Sequence, residues 1–403
     1  MKTLSVYCLL LAMLALAPGA RALAEPEADA QDAQADAAIS EGVEAWMSDI
    51  DWAELETVLQ SLPEEVRALW NGYDLKKLAG EIALSGADGG GDVLDGLLTP
   101  MLLKLLRGEG ARLAGVAATL IGLSLIGGLS GALMGEKKDG VQGAAAFVCR
   151  CFTLTVVLSA FASSAALAVE CVRGICGCME LVTPVLMTLL TAIGGTASVG
   201  VFQPSMTLLI SGVAACMESV VLPLVVCGGV LSLFNSLSER IRLGEMGDLC
   251  RQAVKWVIGV VTTLYSAVTA LRGMTAAAYD GIAVRTAKYA AGGMFPMVGG
   301  LVTGSFDTML GCAGLVKNAA GVTSILLCVS IAAAPLVRLA ATMLLLRLTA
   351  ALVQPVAQKE QVAMCKTGAD MLSGLLAACA AVTVMFIVTI GLIVGVGNAG
   401  MVG

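Results

Sequence analysis

From residue 113 to the carboxyl end, long apolar stretches alternate with short polar breaks. The runs 113–134, 147–169, 181–202, 206–234, 254–271, 322–353 and 371–397 each reach or approach the ~20 residues a helix needs to cross about 30 Å of hydrocarbon. A lipid layer offers no water to backbone groups, so a segment crosses it as a helix or within a closed barrel. Continuous apolar runs of this length read as helices. The pattern predicts an all-α fold: a polytopic transmembrane helical bundle of about seven spans, with six to eight as the range. The stretch 322–353 carries Pro335, Arg338 and Arg347, and reads as one kinked helix or two.

The amino-terminal part has a different pattern. Lys2 precedes an apolar run at 4–17; Pro18 and Gly19 end it, and Ala22-Leu23-Ala24 comes next. That run is too short to span a bilayer and has the anatomy of a secretory signal peptide, 1–24. An uncleaved anchor is the other reading, and either one makes the segment beginning at Glu25 extracytoplasmic. Residues 25–38 are Ala, Asp, Glu and Gln with almost no large apolar side chain, the composition of a disordered acidic linker. Helical periodicity starts near Ile39, with Val43, Trp46, Met47 and Ile50 at three- and four-residue intervals. Pro63-Glu64-Glu65 restarts a helix, with Pro in the first turn and carboxylates at its positive end. Residues 39–110 therefore form a small helical extracytoplasmic module, and 111–403 the transmembrane helical domain. The module's apolar stripe serves as its own core or as a docking face.

Two connecting regions do not fit the simple alternation. Between 236 and 254, Leu237, Ile241, Met246 and Leu249 share a helical face opposite Arg240, Arg242 and Arg251. That pattern suits an interfacial helix, or a connector that continues the next span. Between 272 and 322 the chain is rich in Gly and Ala, with scattered charges and Pro296. It reads as re-entrant or cavity-lining structure, or as a cytoplasmic loop lying on the bundle. Positive charges orient the first span, with Lys137 and Lys138 on the cytoplasmic side. Arg240, Arg242, Arg251 and Lys255 then fall outside, so the orientation of 235–321 stays open.

Composition sharpens this picture. Hydrophobic residues make up 58% of the chain and charged ones 14%, against about 25% charged in an ordinary globular protein. About 19 of the 31 acidic residues lie between Glu25 and Glu109, which excludes nucleic-acid binding there. Histidine is absent, which removes the commonest general base and transition-metal ligand. The close pairs Cys149/Cys151 and Cys176/Cys178 do not have zinc-site spacing and read as small membrane hydrophobes. No phosphate-binding Gly-rich loop with Lys-Ser/Thr is present. The chain is expected not to be an enzyme, with no catalytic residue, metal or cofactor.

Charges deep in a bilayer are costly and mark functional interiors. Glu218, near the middle of 206–234, and Arg338 and Arg347, in 322–353, are the sharpest cases, and their signs allow Glu218 to pair with either arginine. The alternative has the arginines snorkelling to an interface and Glu218 at a break near Pro223. For packing, Gly127, Gly131 and Gly135 form a small-xxx-small seam, and Gly391 and Gly395 repeat that spacing.

An ordered set of segments then carries a resemblance. DGIAVRTAK at 280–288 precedes FPMVGG at 295–300, Asp307-Thr308 with Gly311-Cys312, and KNAAG at 317–321. RLTAALVQP at 347–355 and GVGN at 395–398 complete the set, and VFQP stands earlier at 201–204. Across roughly residues 110–400 this series resembles the stage III sporulation protein AE family of endospore-forming bacteria. The resemblance implies an integral membrane component of a channel-like complex joining mother cell and forespore, needed for late forespore development. It implies residence in the mother-cell-derived membrane around the forespore, with the other subunits of the complex as partners. It carries over no catalytic residue. A self-contained secondary transporter, with Glu218, Asp307 and Arg338 handling ions or solute, is the alternative; the internal duplication that would favour it is not evident.

Overall fold

The computed structural model describes residues 67, 77, 79, 80, 108, 110, 113–128, 140–193, 195–235, 244–294 and 299–399. The signal peptide, the acidic linker, nearly all of the 39–110 module, Gly131 and Gly135 lie outside the described residues, as does the side chain of Asp307. The described residues are helical apart from short turns and contain no strand.

Helix α1 is Leu113–Gly128 and α2 is Gly140–Ala192. Helix α3, Thr196–Cys216, runs through a π-helical turn at Met217–Val221 into α4, Leu222–Asn235. Then come α5, Gly244–Met294, α6, Gly299–Val353, and α7, Lys359–Ala399. Among the described residues, five stretches are long and apolar enough to cross a membrane: Phe147–Ala192, Gln203–Asn235, Gly244–Gly273, Met309–Val353 and Lys359–Gly395. The chain is a multi-pass membrane protein, the all-α bundle that the hydropathy predicts.

The helices join differently from the expected spans. The stretches 147–169 and 181–202 are not separate: α2 continues through Glu170, Arg173 and Glu180. A few charges interrupt apolarity, but they do not break a helical backbone. The chain turns instead at Gly195, whose amide donates to the Leu190 carbonyl over 3.0 Å. A Cβ there would lie 2.8 Å from that carbonyl, so the corner requires glycine. Pro335 lies inside α6, and 322–353 belongs to a single helix. The described part of the 272–322 region is not a loop, being helical on both sides of residues 295–298. From Gly244 onward, the 236–254 segment simply begins α5.

The antiparallel hairpin α6–α7, with α2 against it, forms the core, and α3, α4 and α5 flank it. In lipid, apolar side chains gain little by leaving one hydrocarbon environment for another, so close backbone approach and dispersion drive helix packing. Gly368 receives Val157, Gly229 receives the Phe161 ring, and Gly321 receives Val394, each closer than a Cβ would permit. Gly127 does pack tightly, against the Gln361 amide. Among the described residues of this chain, no atom lies within 4 Å of a notional Cβ at Gly391 or Gly395. Hydroxyls on these helices bond back one turn, as Thr383 does to Cys379 O at 2.8 Å and Ser330 to Leu326 O at 2.7 Å. Such bonds let a hydroxyl sit in an apolar helix with its donor satisfied.

Candidate functional site

Long apolar helices leave their few charges conspicuous, and the bundle collects them at three depths. At the first, Asp370 of α7 accepts from Arg347 of α6 at 3.3 Å and lies 3.9 Å from Arg251 of α5. Arg251 is also 3.7 Å from Asp248, one turn earlier. One carboxylate thus ties three helices. The α6–α7 turn beyond this level is polar. Arg150 donates to Gln358 at 3.3 Å, Gln358 donates to Gly127 O at 3.4 Å, and Gln361 reaches Thr153 at 3.4 Å.

At the opposite depth, Lys317 of α6 is fully buried and its ammonium donates to Val394 O over 2.7 Å. Hydropathy alone assigns this lysine to a connecting region. Its signal is a single cation amid the apolar residues around Ala313, Val316 and Ala319, all of them buried.

Between these levels lies Glu218. It pairs with Arg173 of α2, not with Arg338 or Arg347. Arg173 Nε donates to Oε1 at 2.9 Å and Nη2 to Oε2 at 3.3 Å. This bidentate fork fixes orientation as well as charge. Glu218 sits in the π-helical turn, which ends two residues before Pro223. A proline lacks the amide donor and crowds the carbonyl four residues back, and a wider turn relieves that crowding. The expected break near Pro223 is therefore a local widening that carries the carboxylate. Arg173 escapes sequence reasoning because it falls in the charged gap between two expected spans. Arg338 is half-buried in α6 three residues after Pro335, and its carbonyl accepts from Thr342 at 2.8 Å.

The register of the helices gives the depth of this pair. α2 runs parallel to α7, with Thr153 by Gln361, Val157 by Gly368, and Cys379 Sγ 3.7 Å from Ala168 O. Five residues further along both helices, Arg173 is level with Val384. From Asp370 to Val394, α7 rises about 36 Å at ~1.5 Å per residue, close to the ~30 Å of a hydrocarbon core. Arg173 and Glu218 lie roughly 20 Å from the first charged level and about 15 Å from the second. They lie near the middle of this stretch, the slab between the two charged levels.

Tyr265 of α5 shares a 2.5 Å hydrogen bond with Thr389 of α7, and its ring meets Phe386 edge-on at 6.2 Å. Cys171, Cys176, Cys178, Cys328 and Cys379 are buried thiols. Among the described residues, no group of three His, Cys, Asp or Glu side chains is arranged to hold a metal ion.

Comparison with known proteins adds a family. The family model for stage III sporulation protein AE matches residues 88–397. The stage III sporulation protein AE of Bacillus subtilis (strain 168) is 26% identical over 248 residues, 62% of this chain. The match covers 62% of that protein's own length. No solved structure matches.

Proposed function

Because the chain belongs to the stage III sporulation protein AE family, we propose that it is an integral membrane component of the multiprotein channel-like complex linking mother cell and forespore during endospore formation. It acts by assembly rather than by catalysis, in the mother-cell-derived membrane around the forespore. Its signal peptide delivers the 39–110 module to the space between the two membranes, where it meets another subunit. The observation that carries this reading is the family match over residues 88–397, on a bundle whose described residues include five helices long and apolar enough to cross a membrane.

Deletion in an endospore-forming host, combined with affinity purification of the remaining membrane complex, tests it. The expected result is sporulation arrested after engulfment, with the other subunits no longer co-purifying. Normal sporulation would overturn the reading. So would solute movement by the purified, reconstituted chain alone, abolished by Glu218→Gln, which is the behaviour of a self-contained transporter.

A further inference from the structure

At one depth in the bundle, two outward faces differ in kind. On α5, Trp256, Val260, Leu264 and Leu271 are all more than half exposed. They lie between the Arg251–Asp370 contact and the Gly273–Leu392 contact, so they cover the slab and suit acyl chains. On α2 and α3 the same depth holds the Arg173–Glu218 pair, with the side chains 65% and 35% exposed. Glu170 stands exposed one turn before Arg173.

A charge at the centre of a bilayer costs at least about 2.5–3.5 kcal/mol, and pairing does not remove the cost of desolvating the outward sides. This face therefore does not meet acyl chains. Its cover must approach closely and bring charge of both signs. Ala166, Gly212, Ala215 and Ser219 are exposed around the pair, and a notional Cβ at Gly212 meets nothing within 4 Å. Small side chains at such positions let a second helix come near.

We propose that the α2–α3 face around Arg173 and Glu218 is an intramembrane interface whose occupant is a second copy of this chain. The face is self-complementary in charge. Arg173 commits Nε and Nη2 to its own Glu218, and its remaining terminal nitrogen is available to a carboxylate from outside. A two-fold relation presents Glu170 of the second copy to that nitrogen, and each copy satisfies the other. The interface belongs to the chain itself and does not require the complex proposed above.

The test is site-specific photo-crosslinking in native membranes. A benzophenone amino acid replaces Ala166 or Ala215, and Leu264 on α5 in a control, in full-length chains co-expressed with two different tags. The expected result is an adduct carrying both tags from the α2–α3 positions and none from Leu264. Ser219→Leu, which leaves the ion pair intact, should lower the Ala166 adduct about tenfold, the equivalent of ~1.4 kcal/mol. Arg173→Gln should lower it while Arg173→Lys retains part of it. No two-tag adduct from either position, in chains that accumulate normally in the membrane, would overturn the proposal. An adduct with a different protein at both positions, or equal adducts from Leu264, would overturn it as well.

Discussion

The α6–α7 hairpin and helix α5 are equally able to cross a membrane, yet they use apolarity for opposite purposes. In the most apolar windows of α6 and α7, 61% and 50% of residues are buried in protein; in α5 the share is 17%. The hairpin devotes its small residues to close contacts, as at Gly321 and Gly368, and α5 turns its large ones to the surrounding solvent, as at Trp256 and Leu264. In water the second pattern would be an aggregation surface. In lipid it is a solvated face, so exposure of large side chains identifies the medium rather than a defect.

The sharpest way to break this contrast is Gly368→Leu. A Cβ at Gly368 would already meet Val157 Cγ1 at 2.6 Å and Leu346 Cδ1 at 3.3 Å, so this substitution belongs at the upper end, about 3 kcal/mol, of what overpacking typically costs. Membrane-extracted chain should lose most of its folded fraction in a thermal-shift measurement. A smaller loss is expected from Lys317→Met. It removes the buried ammonium that bonds Val394 O and keeps the packing volume, costing about 1–3 kcal/mol. An unchanged midpoint there would mean that the charge contributes nothing to holding the ends of α6 and α7 together. Asp370→Asn should cost about 1 kcal/mol, because its partners are only partly buried. The variant should also erase any salt dependence of the midpoint that the wild type shows. Leu264→Val sits at the bottom of the scale, within ~0.5 kcal/mol in lipid. A large effect at that position would mean that α5 is covered by protein.

The sequence makes the medium and the fold class plain, because 58% hydrophobic content and runs beyond twenty residues have few other readings. It also makes Glu218 conspicuous, as a lone carboxylate in an apolar run. The carboxylate's partner is not legible there. Arg173 lies 45 residues earlier, in a stretch that hydropathy reads as a break, and hydropathy cannot distinguish a break from a charged turn of continuous helix. Hydropathy misses the helices of 272–322 for a related reason: glycine lowers the average apolarity but does not by itself stop a helix. Gly391 and Gly395 have the spacing of a packing seam, but among the described residues of this chain no neighbour occupies it. Gly127 meets such a neighbour in Gln361. The proximity of Asp370, Arg347 and Arg251 requires three helices to be in register, which no local pattern encodes.

Two faces at one depth should meet different surroundings, and quenching of tryptophan by lipids brominated at mid-chain reads this directly. In chains with Trp46, Trp52, Trp70 and Trp256 replaced by Phe, the reporter is a tryptophan introduced either by Leu264→Trp on α5, which is level with the Arg173–Glu218 pair, or by Ala215→Trp on α3. Strong quenching is expected of the reporter on α5, and several-fold weaker quenching of the reporter on α3. Equal quenching of the two, or an α5 reporter quenched by aqueous iodide and untouched by brominated lipid, would contradict the assignment of α5 to lipid and of the α2–α3 face to protein.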